Sequence, residues 1–455
     1  MAGFYIENFG CRATQADGAA LERQFQDRGL ARAPAPSQAQ IVVLNTCTVT
    51  SSADQDARAA IRRVRRENPN CEIIVTGCYA QRAPEEVAAL PGVSRVIGKS
   101  HKHQLAEIAI GSRPSFVPLS NLTPKSESEI FVSDIFAHTE LLAAPVFDGG
   151  SGTNGDRTRP TLKVQDGCDN RCSFCIIPFV RGQSRSLPLR EILRQVNELV
   201  RSGYREVVIS GINLGRWGRD LRPDADFGQP HFEELVRSIL NETTLEKLRL
   251  SSIEPMDWSE ELIEIMEKSA RIAKHAHVPL QSGSDRILRA MHRKYRPWHY
   301  REKLEKIRSA IPTAAIGADV MVGFPGESDD DFEQTRQLID DLPLTYLHVF
   351  TYSSRPGTPS AAMRDQVPVN TARERNRILR NLAAEKKRAF MQPFVGKTVD
   401  AITLNLTHRD RDSEVTEALT DNYLKIFLNG QHEPNRWVKA QVLEAREGAL
   451  LGIAV

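Results

Sequence analysis

Over the first ~110 residues, short apolar runs alternate with segments whose apolar positions recur every three to four residues. The runs are FYIENFG, IVVLN (residues 41–45), EIIVTG and RVIG. Helical patterns lie between them, at residues 19–28, from Ser51 or Ser52 to Glu67, and at 84–90. A serine hydroxyl suits the start of the second helix, where it accepts from a free first-turn N–H, and Pro69 bars its continuation. Near-continuous apolar strands separated by helices predict an α/β fold, a parallel sheet covered on both faces.

From Ser112 to about Pro160 the alternation stops. SRPSFVPLSNLTPKSESE is rich in Ser and Pro, and GGSGTNGDRTR in Gly and polar residues. This composition predicts a long connection with one short strand, in EIFVSDIF, and a domain boundary before Thr161. Alternation then resumes on a larger scale. TLKVQ, EVVISG, KLRLSS, AHVPL, AIGADVMVG and YLHVFTY read as strands, with helices at 187–202, 231–240, 259–270, 284–291, 299–310 and 329–342. Six strand–helix units rather than eight predict a partial, open (β/α)6 barrel. After a charged helix ending near Phe390, VDAITLNL, EVTEALT, YLKIFLN, WVKAQVLEA and LLGIAV predict a small all-β barrel. The expected division is residues 1–112, a linker at 113–157, 158–390 and 391–455.

A chain of 455 residues exceeds one ordinary core, and 40% hydrophobic with 26% charged residues is a globular composition. No run approaches the ~18 apolar residues of a membrane span. MAGFYIENFG lacks the basic and long apolar regions of an export signal, so a cytoplasmic location is expected. The net charge of +2 hides three basic clusters: Arg58, Arg62, Arg63, Arg65 and Arg66; Arg289, Arg293, Lys294 and Arg296; and the stretch from Arg373 to Arg388. Each reads as a solvated helix face, and together they suit an anionic partner. Seven cysteines, an odd number in a reducing compartment, point to metal binding or catalysis rather than disulfides.

GCDNRCSFC places Cys168, Cys172 and Cys175 at C-x3-C-x2-C, directly after the first barrel strand. Zinc would need a fourth ligand, and no histidine lies between His138 and His231. An iron–sulfur cube accepts three thiolates and leaves one iron open, at the strand end where barrel active sites lie. Cys11, Cys47 and Cys78 each follow a predicted strand by one to three residues. In a parallel sheet those ends share one edge, so the three converge, either as a second three-thiolate cube or as buried thiols. Cys71 precedes its strand, ~17 Å away at the opposite edge, and reads as a small buried apolar residue.

The C-x3-C-x2-C spacing, with Phe174 before the last cysteine, resembles the radical S-adenosylmethionine (SAM) superfamily. NFGC, NTCTV, TGCYAQ and GCDNRCSFCIIPFVRG are similar to the methylthiotransferases, a radical SAM family with two clusters, and the likeness covers nearly the whole chain. The resemblance implies one [4Fe–4S] cluster on Cys168, Cys172 and Cys175 that binds SAM, and an auxiliary [4Fe–4S] cluster on Cys11, Cys47 and Cys78. It also implies SAM contacts from strand-end residues, for which Ser210, Gly211, Asn213, Ser252, Glu254, Gln281 and Gly323 are the candidates. As bare residues these are ordinary loop chemistry. The segment from about Gln392 resembles the RNA-binding TRAM domain. Trp437 or Tyr423 there would stack on a base or fill the small core.

The implied reaction cleaves SAM reductively, removes hydrogen from an unactivated carbon and attaches a methylthio group there. It needs an electron donor and a sulfur source. NFGCRATQ and TCTVTSSADQDARAAIRR resemble the bacterial subfamily acting on N6-threonylcarbamoyladenosine beside the tRNA anticodon. Subfamilies acting on isopentenyladenosine or on a ribosomal-protein aspartate usually carry YGCxMN or LGCxKN, which Arg12, Ala13 and Thr14 do not match. Those three residues also differ from the Lys-Val-Asn common in the favoured subfamily. An iron–sulfur electron carrier or redox sensor is the rival class, though it needs neither the barrel nor the tail. A zinc-bearing RNA-binding scaffold is another.

Overall fold

The computed structural model describes residues 3–111, 128–138, 141, 158–223, 228–410 and 413–455. Most of the connection expected at 113–157 lies outside the described residues. Strands β1 (Gly3–Asn8), β2 (Ala31–Arg32), β3 (Ile41–Thr46), β4 (Glu72–Gly77), β5 (Val93–Ile97) and β6 (Glu129–Phe131) form one parallel sheet, in the order β2-β1-β3-β4-β5-β6. Every residue of β3 is buried. Its period-2 alternation sends Val42 and Leu44 toward helix Ser51–Glu67, and Ile41 and Val43 toward helices Arg12–Gln26 and Leu105–Ile110.

Three local expectations change. The first helix begins at Arg12, not near residue 19. Its first two turns carry Thr14 and Asp17, polar but buried, so apolar periodicity does not reveal it. Thr50, not Ser51 or Ser52, caps the next helix, accepting from the Ala53 N–H at 3.2 Å. Glu129–Phe131, within the expected linker, instead adds the sixth strand to the N-terminal sheet.

The central unit holds β7 (Thr161–Asp166), β8 (Arg185–Ser186), β9 (Glu206–Gly211), β10 (Lys247–Leu250), β11 (His275–His277), β12 (Ala315–Val322) and β13 (Tyr346–Thr351). The orders β10-β9-β7-β8 and β11-β12-β13 join through a parallel bridge between Leu248 and Ile272. Apart from antiparallel β8, six parallel strands make an open arc, as their count in the sequence suggests. The last strands, β14 (Thr398–Asp410), β15 (Ser413–Thr420), β16 (Lys425–Asn429), β17 (Trp437–Arg446) and β18 (Ala449–Ala454), close into a TRAM-like barrel. Among the described residues no helix is long and apolar enough to cross a membrane.

Charge fixes the N-terminal unit to the arc. Asp17 of the first helix and Asp166 of β7 are buried among Lys99, Lys102, Lys163 and Arg181. Arg181 reaches Asp166 at 2.7 Å and Asp17 at 3.2 Å, and Lys163 reaches Asp166 at 2.8 Å. Burial pushes both carboxyls upward, but the surrounding cations hold them well below the usual carboxylate range. A second link runs from Arg355 to Asp54 at 2.7 Å and to the Thr48 carbonyl at 3.2 Å.

Candidate active site

The strand ends of the sheet and of the arc face one cavity of about 510 Å³. The N-terminal unit contributes Cys11, Arg12 and Val49, the arc supplies most of the wall, and Tyr423 comes from the C-terminal barrel. Ser210, Gly211, Asn213, Ser252, Glu254 and Gln281 all line it, so six of the strand-end candidates share one space. Gly323 does not line it. At φ +75°, a Cβ there would meet the Ala372 Cβ at 2.6 Å, so close packing against helix Val369–Met391 accounts for this glycine. Phe174 packs edge-to-face on Phe324, ring centres 6.5 Å apart, behind the cysteine loop.

Cys168, Cys172 and Cys175 form a tight turn in which the Cys175 N–H donates to the Cys172 carbonyl at 3.1 Å. Arg293 Nη1 donates to Cys172 Sγ at 3.3 Å, and Asn213 Nδ2 lies 3.7 Å from Cys168 Sγ. Burial and the neighbouring Cys172 thiol push Cys175 up to about 12, and burial lifts Cys168 to about 11. Thiols this reluctant to ionise in isolation become thiolates when a metal takes the proton's place. Donors already aimed at two of the sulfurs suit that state.

The second trio lies along one edge of the parallel sheet, with Cys47 within electrostatic reach of Cys78 and Cys11. Cys11 is the N-cap of helix Arg12–Gln26, Cys47 follows β3, and Cys78 opens the short helix after β4. Gly10, at φ +99°, passes so close that a Cβ there would sit 2.9 Å from Cys47 Sγ. Burial and the Cys78 thiol raise Cys47 to about 12. Burial also works against the Cys11 thiolate, but Arg181 and Thr14 overcome it and lower that thiol. Cys71 lies across the sheet, its Sγ 3.2 Å from the Asn68 carbonyl.

Either trio could hold an iron–sulfur cluster. Among the described residues, the three ligand atoms that lie within 4.8 Å of one another belong to His277, Asp319 and His348, not to cysteines. Around one tetrahedral zinc, with Zn–S ~2.3 Å, sulfurs would stand closer than that. The cavity wall also offers buried polar atoms without hydrogen-bond partners: Asn213 Oδ1, Ser251 Oγ and His275 Nδ1. Such atoms fit a polar ligand as large as SAM.

Residues 162–339 match the radical SAM superfamily, and residues 3–98 match the group described as "Uncharacterized protein family UPF0004". The threonylcarbamoyladenosine tRNA methylthiotransferase MtaB of Bacillus subtilis is 34% identical over 98% of this chain and 94% of its own length. This chain belongs to the radical SAM methylthiotransferase family. The protein of the same name from Rickettsia prowazekii is 35% identical over 99% of this chain and 97% of its length. The tRNA-2-methylthio-N(6)-dimethylallyladenosine synthase of Carboxydothermus hydrogenoformans is 29% identical over 99% of each. Among solved structures, the radical SAM methyltransferase TsrM from Kitasatospora setae matches with a TM-score of 0.56 at 14% identity, over 79% of this chain and 77% of that one, a likeness of fold alone. Membership brings SAM and a [4Fe–4S] cluster to this methylthiotransferase.

Several participants escape a reading by motif. Arg293 sits in an apparent surface cluster, yet it is buried and pairs with Glu254 beside Cys172. Several other members of the basic clusters are likewise held by carboxylates of the chain. Arg58 pairs with Glu86, Arg63 with Glu7, Arg296 with Asp285, and Arg375 with Glu327 and Asp329. They therefore give less support to phosphate contacts than their number suggests. Tyr423 belongs to neither expected role. It leaves the small barrel at φ +68° and closes the cavity floor against His275, ring centres 4.4 Å apart. Trp437 lies at the junction, with Lys247 Nζ 5.1 Å above its ring. His275, His277, Tyr346 and His348 did carry a sequence signal: alternate positions on β11 and β13, the strands on either side of β12, all lining the cavity.

Proposed function

We propose that this chain adds a methylthio group to C2 of N6-threonylcarbamoyladenosine beside the tRNA anticodon. The shared cavity supports the reading: Cys11 of one trio lines it together with Asn213 and Glu254, which border the other trio. Cys168, Cys172 and Cys175 would hold the SAM-binding [4Fe–4S] cluster, and Cys11, Cys47 and Cys78 an auxiliary one. When bound, the first would supply the electron for reductive SAM cleavage and the second the site of sulfur transfer.

The chain's own residues orient and seclude. Arg293 and Asn213 donate to cluster-ligand sulfurs, which stabilises their negative charge. Asn213 is itself fixed by its backbone N–H, which donates to Gln165 Oε1 at 2.7 Å. Ser210, Gly211, Ser252 and Gln281 line the space expected for SAM. Tyr423 and Tyr346 seal the floor against water, which protects a reactive radical. The TRAM-like barrel would grip the anticodon stem-loop. An external electron donor and sulfur source complete the chemistry, in the cytoplasm where tRNA resides.

Mass spectrometry of tRNA nucleosides from a deletion strain tests the substrate. Loss of the methylthio-threonylcarbamoyl nucleoside, restored by the gene, is the expected result. Its persistence in a strain encoding no second such enzyme would overturn the assignment, as would loss of the methylthio-isopentenyl nucleoside instead. Reduction of the anaerobic protein with SAM should release 5′-deoxyadenosine, which an electron carrier would not do.

A further inference from the structure

The charges on the cavity wall are almost all matched. Arg249 is bound to Glu206 at 2.7 Å and donates to the Asp421 carbonyl at 3.1 Å. Glu254 is paired with Arg293, and Asp319 lies 3.4 Å from His277 Nε2. Arg12 is the exception. It lines the cavity, half-buried, and its side chain makes no hydrogen bond or ion pair among the described residues. Its charge is felt across the cavity by His275, Tyr346 and His348, so the guanidinium looks into the space rather than away from it. An unpaired cation on a partly desolvated wall is a ready partner for an anion that arrives with the substrate.

The geometry of the modified base says where such an anion would be. In a threonylcarbamoyl adenine, the ureido N–H can close a six-membered hydrogen-bonded ring onto N1. That closure folds the threonyl group along the Watson–Crick edge and brings its carboxylate to the side of C2, the carbon to be modified. A group that holds this carboxylate must therefore stand beside whatever delivers sulfur to C2. Arg12 directly follows Cys11, which lines the same cavity.

Resting on the substrate reading above, we propose that Arg12 binds the threonyl carboxylate and selects threonylcarbamoyladenosine over adenosines with an uncharged N6 substituent. Isopentenyladenosine offers Arg12 nothing to bind and leaves it a desolvated, unpaired charge, so exclusion and attraction come from the same residue.

The test compares two anticodon stem-loops, one carrying threonylcarbamoyladenosine and one its methyl ester, with the reconstituted enzyme. Binding is followed by fluorescence anisotropy and turnover by mass spectrometry. The wild type should favour the acid over the ester by about tenfold or more in both readouts, the range of a charge-assisted hydrogen bond. In Arg12→Gln the ratio should fall toward one, and Arg12→Lys should keep part of it. Equal use of acid and ester by the wild type overturns the inference without any variant. So does an equal loss on both RNAs in Arg12→Gln, which would assign Arg12 to the phosphate backbone or to structure. If the wild type modifies isopentenyladenosine RNA and not the threonylcarbamoyl RNA, the substrate reading fails first. If it modifies the latter with a ratio unchanged in Arg12→Gln, only the inference fails.

Discussion

Cys71 and Cys78 flank the same strand and are both buried, so burial alone treats them alike. Their positions do not. The six residues of β4, at ~3.3 Å each, hold the two thiols ~20 Å apart, far beyond a metal–thiolate bond of ~2.3 Å. Cys71→Ser should therefore leave about eight irons per reconstituted chain, the content of two four-iron cubes. The serine hydroxyl can still donate to the Asn68 carbonyl, where the thiol now lies at 3.2 Å, so the stability cost should be about 1 kcal/mol or less. Cys78→Ser removes a ligand from the edge shared with Cys11 and Cys47. Iron should fall to about four per chain. Methylthiolation should be lost, while SAM cleavage at the other trio survives. Iron and sulfide analysis after anaerobic reconstitution, with the visible absorption of the clusters, reads this directly. Equal iron loss in both variants would refute the strand-edge argument, and so would full retention in Cys78→Ser.

Gly10→Ala should cost auxiliary iron but not the other cluster, because φ of +99° and a Cβ placed 2.5 Å from the Cys47 Cβ both oppose a side chain there; unchanged iron content would show that the loop yields freely. Asp17→Asn leaves Lys99, Lys102, Lys163 and Arg181 short of an anion, and denaturation should show a loss of about 3–5 kcal/mol, with under about 1 kcal/mol contradicting the network's role. Burial lowers Lys102 to about 7 from its usual 10.5. Between those values the unfolded chain holds a proton that the folded chain lacks, so this residue makes stability rise with pH. From pH 7 to 9 the gain should be about 2 kcal/mol, and Lys102→Met should lack it; parallel pH profiles for the two proteins would refute the assignment.

Element types and the two cysteine trios were legible because each rests on local pattern. Six strand–helix units announced an open parallel arc, and three cysteines placed just past strand ends announced that they share one edge of a parallel sheet. The start of the first helix was not legible. Its first two turns bury Thr14 and Asp17 against the arc, so the polar face there is an interface rather than a surface. Strand β6 was legible in EIFVSDIF, but its place was not: its three residues join the N-terminal sheet beside β5, across a connection whose composition reads as linker.

The sequence by itself determined which thiols could act together, since a cysteine's place before or after a strand decides its edge of the sheet. It also separated Cys71 from Cys78 without coordinates. Only the tertiary structure decided what surrounds them. Whether an arginine is solvated, paired or free depends on chain segments tens to hundreds of residues away. Arg293 looked like surface and became a hydrogen-bond donor to the Cys172 sulfur; Tyr423 looked like small-barrel core and became part of the cavity wall. Arg12, read only as a departure from a motif, is the cation that the cavity leaves without a partner.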